Sequence, residues 1–345
     1  MRQFLAALLA SVLWQVCGLP AVADTAELGQ VGQPRADLTP VELDAFNKGR
    51  LLFTQKLPRL GPLFNAESCA DCHSIPTVGG SGDLEHAPFL GPGPPSQPAF
   101  YPKHALPGWT VPTRPANASR RIPPPLFGLG LVELIPDDTI RAACGQGHPD
   151  PAKIRDTLPH NSVARFGIKP ILGTTADFVG AALMSESSVT NPMEGPGSKD
   201  TDTFADPEVD ATFVESLAAY VRGLAPPGRN GNDPAGEAVF RSFGCAGCHV
   251  PNMPPAKDVF SDFCVHNMGA VLADGISDHQ AKGDEFRTTP LQGLRFRTLY
   301  LHDGRAMSLD AAIAAHGGEA QAAASAYQQA TAEQRAALLR FLKTL

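Results

Sequence analysis

Two short stretches of this chain have residue types and spacing that could do chemistry by themselves. Cys69, Cys72 and His73 in "SCADCHSIP", and Cys245, Cys248 and His249 in "FGCAGCHVP", repeat one pattern, Cys-x-x-Cys-His. Two intervening residues put both sulfurs within reach of the two vinyl groups of a haem, and the next residue turns its imidazole toward the iron. A structural zinc site would instead gather four cysteines into one cluster and leave each histidine unexplained. A redox dithiol calls for a βαβ context, and neither stretch is flanked by one. At this composition the pattern arises at a given position with a chance of about 10⁻⁵. Two copies therefore point to two covalently bound c-type haems, with His73 and His249 as the proximal iron ligands.

The elements that must position these motifs also recur. Gly49 to Phe53 ("GRLLF") and Gly236 to Phe240 ("GEAVF") both read G-x-x-x-F, expected on a helix ahead of each tether. Each half then closes with an amphipathic helix. Phe213, Leu217, Tyr220, Val221 and Leu224 recur at helical spacing until Pro226-Pro227 stops them. Leu338, Leu339, Phe341, Leu342 and Leu345 do the same at the end of the chain, and Thr331-x-x-Gln334 reads as a capping box. A helix before the tether and a helix at the end is the cytochrome c plan. The expected fold class is thus mainly α with extensive loops: two tandem cytochrome c-like domains, each with one covalently bound haem.

The domain boundaries follow. Residues 24–228 form the first domain, with a long loop insertion after His73 ("SIPTVGG" to "ALPGW") that could wrap its haem; residues 229–345 form the second. The stretch "APPGRNGNDP", Ala225 to Pro234, is the linker. A length of 345 residues suits two domains at roughly 100–200 residues each. Glycine and proline, 33 of each, make up about 19% of the chain against a usual ~12%, which fits long ordered loops. Hydrophobic residues at 43% can build cores, while aromatics at only 7% leave interior space for a haem to fill.

Net charge is −7, and no block of like charges appears, which excludes nucleic acid as an expected partner. Residues 1–23 read as a secretory signal: Arg2, an apolar run from Phe4 to Val16, and Ala21-Val22-Ala23 before Asp24. The run is too short to span a bilayer, and no later segment reaches spanning length. The expectation is an exported, periplasmic protein that is not membrane-spanning. In an oxidising compartment the two cysteines outside both the motifs and the signal segment, Cys144 and Cys264, could pair as a disulfide or stand as separate buried thiols.

Longer strings carry a more specific resemblance. "RIPPPLFGLGLVELIPD" (Arg121 to Asp137), "VARFGIKP" (Val163 to Pro170), "EFRTTPLQGLR" (Glu285 to Arg295) and "YLHDGRAMSLDAAIAAHGGEA" (Tyr300 to Ala320), with both tethers, resemble the dihaem oxidoreductases related to bacterial dihaem cytochrome c peroxidases. The resemblance implies that the C-terminal haem is six-coordinate and receives electrons, while the N-terminal haem reduces peroxide or another oxidant. It places His316 as distal ligand of the C-terminal haem, where relatives commonly have Met; Met307 and Met268 are the rival ligands. His266 and His302 are expected to organise loops or haem propionates.

For the sixth position of the first haem, His86, His104, His148 and His160 are the candidates; if none reaches it, that position is open. Glu186 in "ALMSESSVT" stands where the relatives carry a catalytic glutamate, a carboxylate that can take a proton from peroxide and return it to the leaving oxygen. Ile168 occupies the place of a tryptophan between the haems of relatives, and an aliphatic side chain cannot serve as an oxidisable station for electrons. The implied function is a periplasmic peroxidase of H₂O₂, with a small donor protein of cytochrome c or cupredoxin type as partner. The alternatives are an electron carrier without bond chemistry and a haem oxygenase acting on an organic substrate.

Overall fold

The computed structural model describes residues 31–93, 98–144, 163–194 and 202–345. The expected signal segment, His148 and His160 lie outside the described residues.

The N-terminal part is built on helix α1 (Pro40–Thr54), whose start is dictated locally. The Thr39 hydroxyl accepts from the Glu42 N–H, the Glu42 carboxylate accepts from the Thr39 N–H, and Pro40 opens the first turn. A cap of this kind contributes about 1 kcal/mol. After the short strand β1 (Leu63–Phe64) comes α2 (Cys69–Cys72), a single turn made by the tether itself, capped by Ser68 and Asp71. The insertion that follows folds into small antiparallel sheets. Strand β2 (Phe89–Gly91) pairs with β3 (Ala99–Tyr101) and β5 (Ser119–Arg120), while β4 (His104–Ala105) returns to β1. Helices α3 (Leu129–Glu133), α4 (Asp137–Cys144), α5 (Thr175–Ser187) and α6 (Ala211–Gly223) complete this part.

The C-terminal part begins with α7 (Pro234–Ser242), capped by Asp233. It continues through a 3-10 turn at Cys245–Gly247, strand β6 (Val265–Asn267), α8 (Gly269–Leu272) and strand β7 (Glu285–Arg287), antiparallel to β6. Helices α9 (Leu309–Ala314), α10 (Gln321–Gln329) and α11 (Ala332–Leu342) end it, the last with the expected Thr331–Gln334 capping box.

The recurring G-x-x-x-F string has a physical reason. A Cβ added at Gly49 would collide with Ser216 O on α6, and one at Gly236 with Ala337 O on α11. Each glycine thus lets a tether helix lie directly against the closing helix of its own part. The aromatic partners then meet: Phe53 stands 4.8 Å from Tyr220, and Phe240 stands 5.3 Å from Phe341. Phe46, Tyr220 and Phe341 are fully buried.

A third apolar core joins the two parts. Val132, Ile135, Ile140, Val163 and Phe166 pack with Met253, Val259 and Phe263 from the other side of the linker. The Cys144–Cys264 disulfide lies in this core, with its Cα atoms 5.4 Å apart across 120 residues of sequence, so the paired reading of those cysteines holds. Polar contacts reinforce the junction. The Ile122 N–H donates to His302 O at 2.9 Å and the Arg287 N–H to Ile168 O at 3.0 Å, while Arg121 pairs with Asp274 in a buried ion pair. Among the described residues no helix is long and apolar enough to cross a membrane.

Candidate functional site

Both tethers place their histidines by the same device. In α2 the His73 N–H donates to Cys69 O at 3.0 Å, and in the second motif the His249 N–H donates to Cys245 O at 2.9 Å. One turn of helix therefore holds the two sulfurs on one side and sends the imidazole on. The His73 ring then lies 6.3 Å from Phe53, and the His249 ring 6.5 Å from Phe240.

The ring nitrogens decide what these histidines can bind. His73 Nδ1 sits 3.0 Å from Pro124 O and 3.2 Å from Gly80 O; His249 Nδ1 sits 3.0 Å from Phe260 O. A carbonyl oxygen only accepts, so each Nδ1 carries the proton and each Nε2 keeps its lone pair for a metal. Burial pulls both rings down to about 4, which keeps them neutral. His316 shows the same arrangement: its Nδ1 donates to Ala312 O at 2.8 Å, burial lowers its pKa, and it is near enough to His249 to lower that ring's pKa by charge repulsion. Met307, one rival ligand, is 78% exposed; Met268 sits at the N-cap of α8.

The four motif cysteines are free thiols. Burial pushes Cys69 up to about 12 and Cys245 up to about 11, and raises Cys72 further. A redox dithiol depends on a depressed thiol pKa, and the shift here is the opposite.

Around the first tether lies a large, mostly apolar cavity of about 270 Å³. Cys69, Cys72 and His73 form one wall; Phe53, Leu90, Ile122, Pro123 to Phe127 and Leu183 supply much of the rest. Glu186 lines it from α5, and burial pushes its carboxyl up to about 7. Ile168 also lines it, on the side facing the C-terminal part. His73 is its one histidine among the described residues. His86 is turned to Asp83 at 3.0 Å, and His104 stands on β4 against Phe64.

Several wall residues carried no signal in the sequence. Asn65 is 2% exposed, lines the cavity, and neither polar atom of its side-chain amide has a partner among the described residues. Arg121, Lys169, Arg287 and Arg297 also reach the wall, the last two from the C-terminal part. Asn65 could have been noticed four residues ahead of Cys69; the arginines become neighbours only through the fold.

The second site is built differently. His266 is 2% exposed and uses both nitrogens on carboxylates, Nδ1 at 2.9 Å from Glu319 and Nε2 at 3.0 Å from Asp262. Burial opposes its charge, but the Asp262 and Cys248 contacts outweigh that and raise it to about 11. It is a locked imidazolium with no lone pair to offer iron, in keeping with a loop-organising role. Cys248, Asp262 and His266 converge closely enough to hold a cation, but a protonated His266 and a tethered Cys248 would remove two of those donors. His302 stacks on Phe286 at 4.4 Å, and its buried Nε2 has no partner among the described residues.

Residues 180–345 match the family described as "Di-haem oxidoreductase, putative peroxidase". No curated protein sequence matches the chain. Among solved structures, hydrazine synthase from Kuenenia stuttgartiensis, studied under xenon, aligns over 100% of both chains at 16% identity with a TM-score of 0.50, a likeness of fold. The diheme peroxidase BthA from Burkholderia thailandensis aligns over 82% of this chain and 72% of its own at 16% identity and a TM-score of 0.43. A MauG-like protein associated with microbial copper homeostasis aligns over 90% and 92% at 19% identity and a TM-score of 0.42.

Proposed function

From its kinship with the di-haem oxidoreductases, whose cofactor is haem, we propose that this protein is a periplasmic dihaem c-type oxidoreductase that reduces a small oxidant, most simply H₂O₂, in the N-terminal cavity. Each haem is tethered by one cysteine pair, Cys69 with Cys72 and Cys245 with Cys248. The halves divide near the linker, residues 24–228 and 229–345, as two cytochrome c-like domains. The fit of the residues supports this. Each proximal histidine has its Nδ1 proton spent on a carbonyl and its Nε2 free, and the cavity beside the first pair has a buried amide, Asn65, with unmet hydrogen bonds. When bound, haem would supply one-electron iron chemistry at each site, held by His73 at the first and His249 at the second.

The observation that carries the reading is Glu186. It is a carboxylate in the wall of an apolar cavity, beside the first tether, with a pKa raised to about 7. Converting H₂O₂ to two waters takes two electrons and two protons. A carboxyl poised near neutrality can accept a proton from peroxide and deliver it to the departing oxygen. The surrounding apolar wall keeps bulk water from competing for it. On the other side, His249 and His316 are the two neutral imidazoles that would hold the second haem, with electrons supplied by a small donor protein. Ile168 is aliphatic and cannot itself serve as an oxidisable station between the sites.

The test is low-temperature EPR and absorption spectroscopy of the purified holoprotein, fully oxidised and half-reduced, followed by peroxide turnover. A high-spin ferric signal from one haem, and turnover that collapses in Glu186→Gln, are expected. Two low-spin haems in both states, indifferent to peroxide and cyanide, would leave an electron carrier instead. His316→Met is expected to raise the potential of the C-terminal haem alone.

A further inference from the structure

Two guanidinium groups from the C-terminal part stand against the N-terminal cavity with no carboxylate in ion-pair contact among the described residues; Asp262 acts on Arg287 only as a more distant charge. Arg287 and Arg297 both line its wall. The hydrogen bonds of Arg287 run to backbone carbonyls, Nε to Gly167 O at 2.8 Å and Nη1 to Thr288 O at 3.1 Å. Arg297 donates from Nη2 to Pro290 O at 3.1 Å, and its buried Nε has no partner among the described residues. Burial lowers both to about 10, and the charge of Arg297 adds to the lowering of Arg287.

The anionic groups nearby are spoken for. Asp274 pairs with Arg121 and lies 3.8 Å from Lys169; Asp262 holds His266; Asp278 holds His279 at 2.8 Å. Glu186, the other carboxyl of the wall, makes no ion pair among the described residues. Like charges buried side by side are costly unless an anion is supplied, and a guanidinium fork suits a carboxylate.

We infer that Arg287 and Arg297 bind the propionate carboxylates of the haem tethered at Cys69 and Cys72, so that the C-terminal part completes the N-terminal haem site. The inference rests on the haem reading above and deepens it. It makes the junction between the parts a component of the site: without it the first haem would keep its tether and proximal histidine but lose the counter-charge for its carboxylates. A free inorganic anion is the other source of the same chemistry, and the experiment separates the two.

The experiment uses the holoprotein, with covalent haem at each tether verified by peptide mass spectrometry. Redox potentials of both haems are measured by spectroelectrochemistry in wild type, Arg297→Gln, Arg287→Gln and Arg297→Lys, with resonance Raman of the propionate bending band. The Gln variants are expected to lower the reduction equilibrium constant of the N-terminal haem at least tenfold, about 59 mV for one electron, and to move the propionate band. Arg297→Lys, which keeps the charge, is expected to restore most of the potential. Potentials and band unmoved, or a shift at the C-terminal haem instead, would overturn the inference while leaving the haem reading intact. Saturable perturbation of the wild-type N-terminal haem spectrum by inorganic phosphate, abolished in Arg297→Gln, would overturn it in favour of a free anion. Absence of haem at Cys69 and Cys72 would instead overturn the reading beneath it.

Discussion

The two tether regions share a scaffold and differ in what surrounds it. In both, a glycine lets a helix lie against a closing helix, a phenylalanine meets an aromatic ring, and a histidine ring is fixed through its Nδ1. Around the first, an insertion of small sheets and prolines opens an apolar cavity with two carboxyls in its wall, Glu186 and the His279-bound Asp278. Around the second, His316 approaches His249, and the ionic lock of Asp262, His266 and Glu319 ties the loop to the helices that follow. The two surroundings thus depart from a shared scaffold in different directions. Beside one pair lie space and a buried carboxyl; beside the other lie a second buried imidazole and an ionic lock.

That comparison can be broken most sharply at Glu186. Glu186→Gln is expected to reduce peroxide turnover by about 10²–10⁴-fold, with the C-terminal haem spectrum unchanged. In wild type, the base form grows as pH rises through about 7, so kcat/KM should climb across that value and the climb should vanish in the variant. The sign for stability is the reverse. The folded chain holds this proton to about 7 whereas the ordinary value is 4.5, so stability falls as pH rises between them, a slope that Glu186→Gln removes in denaturation at several pH values.

In the second region, His266→Gln strips the counter-charge from buried Asp262. Chemical denaturation should show a loss of about 3–5 kcal/mol, while haem occupancy at Cys69 and Cys72 stays intact. Burial opposes the charge, but the Asp262 contact keeps the His266 pKa above the ordinary histidine value, so the wild-type contribution is complete below 6.5 and is lost as pH rises through the raised value. Cutting the link between regions comes next: the double replacement Cys144→Ala, Cys264→Ala should cost about 2–4 kcal/mol in the same assay, and a single cooperative transition splitting into two would show that the bridging core alone does not couple the parts. The smallest effect tests what the regions share. Gly49→Ala and Gly236→Ala each wedge a methyl against a facing carbonyl, and each should cost about 1–3 kcal/mol by thermal unfolding. A loss in only one of them would show that the common plan is less common than the packing suggests.

Much of this was legible in the residues alone because the signals are local. A tether needs only one turn of chain, so Cys69 to His73 and Cys245 to His249 announce their geometry by spacing. The caps at Thr331 and Gln334, the helix ending before Pro226, and the G-x-x-x-F strings are set by neighbours within a few positions. Glu186 and His316 were reachable through resemblance, but the sequence could not show that one would face a cavity and the other would turn its Nδ1 onto its own helix.

Other features had no local cause. Four histidines stood as candidates for the first haem's sixth position, and for His86 and His104 only the fold showed other neighbours, Asp83 and Phe64, each formed by a chain reversal. The pairing of Cys144 with Cys264 spans 120 residues, and nothing in either flank specifies the other. The approach of Arg287 and Arg297 to a cavity built mainly from the N-terminal part is likewise a product of long-range packing. By itself, the sequence determined which cysteines and histidines stand at tether spacing, since that spacing is a matter of a few bonds. Which wall each faces, and which charges are left for a cofactor to answer, was decided by tertiary structure, because burial and counter-charge come from segments brought together only when the two parts pack.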